Sequence, residues 1–269
     1  SDGGASVTER GVVYSTNPNP VITNLSNTIR PCGSGTEVFT YTMTGLQPNT
    51  TYYVRAYATN EVGTAYGEEM SFTTETPAVH EYVDLGLCVK WATCNVGASK
   101  PEEYGDHFAW GETEPKTTYN WRTYKWCNGS STTLTKYCTS SSYGTIDNKT
   151  TLELSDDAAR ANWGGSWRMP TDDELTELWE QCTWTWTTQN GVYGRKITSK
   201  TNGNSIFLPA AGYRHEESLK GAALYGHYWS STPYVENHTM AYLLYINESC
   251  HSTNWEACAL GYSVRPVVE

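Results

Sequence analysis

Apolar and polar residues alternate with a period of two along most of this chain, and clusters of turn-forming residues separate the alternating runs. In the first 75 residues this alternation predicts four strands. They span residues 11–15, 38–46, 51–60 and 64–74. Further runs of the same kind lie at residues 83–91, 183–187, 193–199, 205–212, 226–232, 240–247 and 260–267. The pattern therefore predicts a mostly β protein.

Two segments predict helices. The stronger one begins after Pro170, where Thr171 and Glu174 form a Thr-x-x-Glu capping box. Its apolar residues recur at helical spacing and predict one core-facing stripe. That stripe consists of Leu175, Leu178, Trp179 and Cys182. A shorter helix is predicted over residues 155–162, with Ser155 as its N-cap. Two helices with strands before and after them indicate an α+β domain.

The composition excludes several classes of partner. The chain has 269 residues, a net charge of −11 and no basic cluster, which argues against binding to nucleic acid or to an anionic membrane. No apolar run approaches the roughly 20 residues of a transmembrane helix. Ser1 is not an initiator methionine, so we interpret the chain as a fragment of a mature protein.

The segment from Gly45 to Asn60 reads Gly-Leu-Gln-Pro-Asn-Thr-Thr-Tyr followed by Tyr-Val-Arg-Ala-Tyr-Ala-Thr-Asn. It resembles the turn into strand F, and strand F itself, of fibronectin type III domains. The resemblance implies that Leu46 fills the core and that the Tyr52 hydroxyl bonds back to the turn. Such domains have seven strands, whereas the first strand predicted in this chain corresponds roughly to the third strand of such a domain. Residues 1–75 are therefore expected to form a β-sandwich that lacks its first strands, with an open edge that could self-associate.

After a short linker at residues 75–79, five motifs follow in order. They are Val-Asp-Leu-Gly-Leu-Cys-Val-Lys-Trp-Ala-Thr-Cys-Asn-Val-Gly-Ala from Val83, Arg-Met-Pro-Thr-Asp-Asp-Glu-Leu from Arg168, Ile-Phe-Leu-Pro-Ala-Ala-Gly-Tyr from Ile206, Tyr-Trp-Ser-Ser-Thr from Tyr228 and Ser-Val-Arg-Pro-Val from Ser263. Together they resemble the Fibrobacter-type major paralogous domain, which is common in secreted proteins of gut Bacteroidetes and distantly similar to formylglycine-generating enzymes. For residues 80–269 this implies a C-type-lectin-like fold with paired N- and C-terminal strands. A long loop region, residues 112–150, would lie on one side.

The eight cysteines allow many pairings, so their connectivity does not follow from the sequence. Cys88 and Cys94 lie too far apart for a disulfide if the run between them is extended. Two polar loops could close through bridges, and the candidate pairs are Cys127–Cys138 and Cys250–Cys258. The alternative is that these thiols stay free, as expected for the core-facing Cys94 and Cys182.

Motifs of catalytic and metal sites are missing from the sequence. The histidines form no His-x-His or His-Glu-x-x-His pattern, and no Gly-x-Ser-x-Gly or phosphate-binding loop occurs. The resemblance to formylglycine-generating enzymes leaves Cys250 and Cys258 as the only candidates for a catalytic pair, but their neighbours do not match. Calcium-binding triplets of animal C-type lectins are also missing, and Glu102, Glu103 and Asp106 lack the spacing of a calcium loop. We expect no catalysis, no cofactor and no metal, although folding could still bring two carboxylates together.

The hypothesis for a binding site rests on two polar segments, residues 234–238 and 247–255. They are predicted loops between strands, and loops on a rigid scaffold often carry binding. Candidate ligand-binding residues are Tyr234, Asn237, His238, Asn247, Ser252, Asn254 and Trp255. The resemblance adds that related lectin-like folds in phage receptor-binding proteins use this C-terminal region. The alternatives are solvated loops with Trp255 turned inward, or a site in the loop at 121–126.

Two functions fit these expectations. The first is a non-catalytic cell-surface adhesion or ligand-display protein, whose lectin-like domain binds an extracellular glycan or protein. The second is a carbohydrate-binding module of a secreted enzyme, or a degenerate relative of one. Resemblances across both domains imply an extracytoplasmic location, either secreted or anchored at the outer membrane as a lipoprotein, where disulfides could form.

Overall fold

A computed structural model describes residues 4–74 and 80–269 of the chain. The chain divides into two compact units, Ser1–Ala78 and Val79–Glu269. The described residues form eighteen strands but only two α-helices, so the prediction of a β-rich protein is confirmed. Neither of these two helices has the length and apolar character of a membrane-spanning segment. The predicted linker at 75–79 falls outside the described residues.

Residues 4–74 of the first unit form one antiparallel sheet of five strands. Its strands are β1 Glu9–Ser15, β2 Thr28–Pro31, β3 Thr51–Thr59, β4 Thr64–Tyr66 and β5 Met70–Thr73. Strand β1 lies between β2 and β3, while the first half of β3 pairs with β5 and its second half with β4. Tyr52 is buried beside Tyr14 and Phe72, and its hydroxyl accepts a hydrogen bond from the Gln47 amide at 3.0 Å. The hydrogen bond expected of Tyr52 is therefore present.

Two of the strand predictions for this unit are wrong. Residues 38–46 form no strand, because Val38 is 95% exposed and finds no apolar surface to cover. Thr28–Pro31 instead pairs with β1. Residues 64–74 form two strands, since the chain leaves β3 after Gly67 and pairs with it again from Met70. Leu46, which was expected to fill the core, is half-buried.

The strands of the second unit form four sheets within the described chain. In chain order they are β6 Tyr82–Val83, β7 Lys90–Ala92, β8 His107–Phe108, β9 Cys182–Gln189, β10 Val192–Ser199, β11 Ser205–Pro209, β12 Tyr213–His215, β13 Ser218–Lys220, β14 Tyr225–Pro233, β15 Met240–Asn247, β16 His251–Ala257, β17 Tyr262–Ser263 and β18 Val267–Val268. The largest sheet, which we name the central sheet, has the order β16-β15-β14-β17-β8. The others are β11-β10-β9, β12-β13 and β18-β7-β6.

The two ends of the second unit are joined in one sheet. Strand β18 pairs with β7, where Val267 lies opposite Trp91, and β6 pairs with β7 as well. This is the expected pairing of terminal strands. Gly86, with φ of 70°, turns the chain between β6 and β7. Residues 109–153 form only turns and isolated bridges, so the expected long loop region is present too.

Two α-helices follow the loop region, α1 at Ala158–Trp163 and α2 at Asp172–Gln181, after a 3₁₀ turn at Leu154–Asp156. The capping box of α2 is confirmed. Thr171 Oγ1 accepts a hydrogen bond from the Glu174 amide at 3.2 Å, and the Glu174 carboxylate accepts one from the Thr171 amide at 2.8 Å. Arg168 also donates two hydrogen bonds to this carboxylate, at 2.8 and 2.6 Å. The Arg-Met-Pro-Thr-x-x-Glu motif therefore acts as a helix start.

Helix α1 begins later than predicted. Its N-cap is Asp157 rather than Ser155, because the Asp157 carboxylate accepts hydrogen bonds from the Arg160 amide at 3.0 Å and from the Met169 amide at 2.8 Å. Burial raises the pKa of Asp157, although these bonds oppose the shift. Since Met169 lies just before α2, one buried carboxylate connects the starts of both helices.

The central sheet carries an apolar cluster on each face. Residues opposite each other on paired strands share a face, so Trp229 and Leu243 lie on one face while Tyr228 and Leu244 lie on the other. The first pair packs with buried residues of the loop region, and the second pair packs with Trp91 and the α2 stripe. Apolar clusters therefore pack on part of each face, and β16 remains at the edge of the sheet.

One member of the α2 stripe departs from its prediction. Leu175, Leu178 and Cys182 are buried, as expected. Trp179 is 42% exposed, because it lies beside His251 of the edge strand β16, where the apolar cluster ends. Helical spacing defines a stripe, but the width of the partner surface decides how much of that stripe is covered.

All eight cysteines lie among the described residues and are free thiols. The predicted bridge Cys250–Cys258 is wrong, because strand β16 runs between the two residues and separates them by roughly 26 Å, at about 3.3 Å per residue. Cys94 and Cys182 are buried thiols as expected, and burial raises the pKa of both.

The predicted bridge Cys127–Cys138 is wrong as well. The Cys127 thiol donates to the Trp121 carbonyl at 3.0 Å, and the Cys138 thiol donates to the Ser140 carbonyl at 3.1 Å. The two sulfur atoms are thus directed at different parts of the loop region. Hydrogen bonds and packing, rather than disulfides, order this region.

We expect Thr171→Ala to lower the free energy of unfolding by about 1 kcal/mol, because the Glu174 amide loses its capping partner. Chemical denaturation followed by tryptophan fluorescence measures this loss. Thr176→Ala is the matched control, since it makes the same change inside α2 and should be neutral or slightly stabilising. Equal losses in the two variants would contradict a capping role.

Candidate functional site

Three aromatic side chains meet at the edge of the central sheet: Tyr234 after β14, Tyr242 on β15 and Trp255 on β16. The register places Tyr242 directly opposite Trp255, so their side chains share a face. The Tyr234 ring stacks on Trp255, with centroids 4.7 Å apart and an interplanar angle of 10°. The Tyr242 ring meets both of these rings edge-on. We name these three residues the aromatic platform.

The platform presents aromatic surface to solvent. Trp255 is 44% exposed, so the alternative in which it is turned inward does not hold. Its stacking on Tyr234 covers one side of the indole and orients it. The Tyr234 hydroxyl donates a hydrogen bond to the Glu236 carboxylate at 2.7 Å, which raises the pKa of this tyrosine. Both rings are therefore held in defined positions while Trp255 stays accessible.

The two candidates in the loop after Tyr234 have structural partners. Asn237 Oδ1 accepts hydrogen bonds from the Thr239 amide at 3.1 Å and from its hydroxyl at 2.7 Å, which closes the turn into β15. His238 Nε2 lies 2.7 Å from Thr139 Oγ1, and its ring contacts Tyr143 edge-on. Asn237 therefore shapes the loop, and His238 connects it to the loop region.

The remaining candidates lie away from the platform. Residues 251–257 form strand β16 rather than the predicted loop, because they pair along β15. Ser252 and Asn254 alternate with Trp255 and occupy the opposite face. Asn247 caps the β15–β16 turn, since its Oδ1 accepts hydrogen bonds from the Ser249 and Cys250 amides. The structure therefore groups two of the seven candidates, Tyr234 and Trp255.

The alternative site in the loop at 121–126 is built mainly from packed aromatic residues. Trp121 meets Tyr124 edge-on, and Trp126 Nε1 donates to the Gly111 carbonyl at 2.7 Å. Both tryptophans pack against the larger apolar cluster. A shallow polar depression of about 460 Å³ lies beside Trp121. These indoles stabilise the loop region and offer less free surface than Trp255.

A second concave site lies on the opposite face of the central sheet. It encloses about 270 Å³. Its lining residues are Tyr213, Tyr225, His227, Tyr245, Glu256, Leu260 and Tyr262. We name it the tyrosine pocket. Sequence reasoning missed it because its residues come from β12, β14, β15, β16 and the chain around β17. The available signal was the excess of tyrosine over phenylalanine, 20 against 4.

The four tyrosines surround His227. Its ring stacks on Tyr262 with centroids 4.8 Å apart, and it contacts Tyr245 at 5.0 Å, Tyr213 at 5.3 Å and Tyr225 at 5.5 Å. The register places Tyr245 opposite His227, which sets the geometry of this contact. Strand pairing therefore brings these aromatic rings together around His227.

Burial determines the protonation state of the histidine and tyrosine side chains that line the pocket. It lowers the pKa of His227 to about 4, so the imidazole is neutral at pH 7. It also raises the pKa of Tyr225 and of Tyr262, which keeps both phenols protonated. Glu256 contributes a carboxylate, since it follows Trp255 on β16 and is directed to the other face. Tyrosine, imidazole and carboxylate groups therefore leave the pocket with one negative charge.

The described residues show no group of three or more His, Cys, Asp and Glu side chains that could hold a metal ion. Two acidic residues considered for calcium have protein partners. Glu103 accepts hydrogen bonds from the Ser99 and Lys100 amides, and Glu102 accepts one from Asn190 Nδ2 at 2.7 Å. These bonds lower the pKa of both carboxyl groups.

Residues 183–267 match a family described as a domain of unknown function, DUF8237. No curated protein and no solved structure matches the chain. The matched segment runs from β9 to the start of β18 and contains every residue of the aromatic platform and of the tyrosine pocket. In the part of the chain that carries both candidate sites, this protein is therefore similar to the DUF8237 domains.

Proposed function

We propose that this chain is a non-catalytic binding module of an extracellular adhesion or ligand-display protein, and that it binds a glycan on the aromatic platform. The single observation that carries the proposal is the exposed indole of Trp255 stacked on Tyr234. A sugar ring presents a flat face of C–H groups that can pack on such an indole, while its hydroxyls need polar partners at the rim. The Glu236 carboxylate lies at that rim, because Tyr234 donates to it.

Preorganisation favours this use of the platform. Each aromatic side chain that must be ordered on binding costs about 0.5–1.5 kcal/mol. Stacking and the hydrogen bond to Glu236 already order Tyr234, and stacking together with Tyr242 already orders Trp255. Rigid Tyr and Trp side chains are the usual anchors of such binding surfaces.

We further propose that the second unit is a C-type-lectin-like domain of the Fibrobacter type and that the first is a partial fibronectin type III-like domain. The pairing of β7 with β18 and the Tyr52 hydrogen bond support these assignments. They favour an adhesion protein outside the cytoplasm. A carbohydrate-binding module of a secreted enzyme would use the same platform, and a catalytic domain elsewhere in the gene would distinguish it.

A glycan array with the labelled protein, followed by calorimetric titration of the best hit, tests the proposal. We expect Trp255→Ala to weaken binding at least about tenfold and Tyr234→Ala to weaken it by a smaller factor, since removal of an aromatic anchor costs on the order of 2 kcal/mol. Trp179→Ala is the matched control, because Trp179 has nearly the same exposed fraction, 42% against 44%, but lies on α2. Unchanged affinity in Trp255→Ala would reject the platform, and a protein-only ligand would reject the glycan.

A further inference from the structure

The tyrosine pocket has the geometry of a cation-binding site. Aromatic faces attract a cation that lies within about 6 Å of the ring centroid, and several rings around one volume add their contributions. Tyr213, Tyr225, Tyr245 and Tyr262 line the same 270 Å³. Tyr225 and Tyr245 lie 6.1 Å apart with a tilt of 38°, and Tyr213 meets Tyr262 at 74°. These rings therefore face the volume from several directions.

The charges of the lining residues also favour a cationic ligand. Among the described residues, those that line the pocket include no lysine or arginine. Glu256 is the one residue of that lining with a formal charge at neutral pH, because burial keeps His227 neutral. The net charge of −11 on the whole chain attracts cations as well. A neutral ligand would leave the Glu256 carboxylate without a partner of opposite charge.

The pocket is also preorganised. Asn247 Nδ2 donates to the Tyr245 hydroxyl at 3.0 Å, which orients that ring. Gly221 has φ of 62°, and a Cβ there would lie 1.8 Å from the Tyr225 ring, so only glycine permits this ring position. Tyr262 is buried and forms the floor beside His227. These contacts, together with the packing of the rings on His227, fix the positions of the aromatic side chains that line the volume.

We propose that the tyrosine pocket is a second binding site, and that it takes a small organic ammonium ion of the size of a choline head group. The ammonium group would lie over the tyrosine faces, with the Glu256 carboxylate as its counter-ion. This site lies on the opposite face of the central sheet from the aromatic platform and does not depend on the glycan proposed there. Failure of either proposal leaves the other standing, because Trp255 does not line the pocket.

Calorimetric titration of the whole chain with choline tests the proposal, with 3,3-dimethylbutan-1-ol as the control ligand. The control has the same shape but carries a carbon where choline has its charged nitrogen. We expect saturable choline binding and an affinity for the alcohol at least about tenfold weaker, since the cation–π attraction is lost. Equal affinities would show an apolar pocket and overturn the proposal, and so would the lack of saturable choline binding at constant ionic strength.

Variants locate the bound cation. Tyr225→Ala should weaken choline binding roughly threefold to thirtyfold, and Glu256→Gln should weaken it with little change in shape or stability. Tyr193→Ala, which removes an exposed tyrosine from β10, is the matched control and should bind choline like the wild type. Choline affinity that stays unchanged in both Tyr225→Ala and Glu256→Gln would overturn the assignment to this pocket. Glu256→Gln decides the question if Tyr225→Ala does not fold.

Discussion

Arg265→Lys should lower the free energy of unfolding of the second unit by about 3–5 kcal/mol. The Arg265 side chain is 1% exposed. Its guanidinium donates to Asn95 Oδ1 at 2.9 Å and to the carbonyls of Ala92, Thr93 and Phe207 at 3.0–3.1 Å. A lysine ammonium is compact and cannot reach this set of acceptors, so buried carbonyls lose their donors at a cost of roughly 1–3 kcal/mol each.

The chemistry of this arginine is unusual because these four hydrogen-bond acceptors are oxygen atoms of amides rather than of carboxylates. Burial lowers the pKa of Arg265 to about 10, which still leaves it charged at pH 7. The aligned dipoles of Asn95 and the three carbonyls therefore stabilise the charge. These acceptors belong to two of the five motifs and Arg265 belongs to another, so Arg265 joins the first, third and last motifs in space.

Denaturation followed by tryptophan fluorescence measures the effect on the second unit alone, since all eleven tryptophans lie in it. Arg122→Lys is the matched control. Arg122 is exposed, so this exchange should change the free energy of unfolding by less than about 0.5 kcal/mol. A loss in Arg265→Lys as small as that of the control would show that the four hydrogen bonds contribute little.

The second large effect is a loss of stability in acid that depends on His107. This side chain is 6% exposed, and its Nε2 lies 3.2 Å from the Ala211 carbonyl oxygen. Burial and, to a smaller extent, the charge of Arg214 lower the pKa of His107 from 6.5 to about 4, although the contact with the Ala211 carbonyl opposes this shift. Between these two values the unfolded chain binds a proton that the folded chain does not. The free energy of unfolding therefore falls as the pH drops from about 7 to 4, by roughly 3 kcal/mol for this group.

Unfolding free energies at a series of pH values between 7 and 4 test this prediction. In His107→Gln, the free energy of unfolding should fall by roughly 3 kcal/mol less between pH 7 and pH 4 than in the wild type. This difference does not depend on how stable the variant is at pH 7. His227 contributes with the same sign, because burial also lowers its pKa to about 4, and it stays in the variant. His215→Gln, which makes the same exchange at an exposed position, is the matched control. An unchanged slope in His107→Gln would contradict the prediction.

Predictions that depend on neighbouring residues hold in this structure. The capping box of α2 involves Thr171 and Glu174, and the Tyr52 hydroxyl reaches Gln47 five residues away. Such contacts need only the local backbone geometry, which the residue types themselves favour. The alternation that predicts most strands of the second unit is local in the same sense.

Predictions that depend on a distant partner are less successful. Residues 38–46 have a good strand pattern but no strand to pair with, whereas Thr28–Pro31 has a weak pattern and pairs with β1. The Cys250–Cys258 bridge fails because residues 251–257 become a strand instead of a loop. In both cases pairing across the sheet, which no short segment encodes, decides the outcome.

The sequence by itself determined the β-rich class and the helix start at Thr171. It also identified Tyr234 and Trp255 as candidate binding residues in two separate polar segments of the C-terminal region. Only the tertiary structure decided that these two rings stack, since stacking depends on the β15–β16 register. It also decided that Trp255 and Glu256, neighbours in the chain, serve opposite faces of the central sheet. The reason is geometric: a one-residue step along a strand reverses the side chain, and the pairing of strands far apart in sequence determines what each face meets.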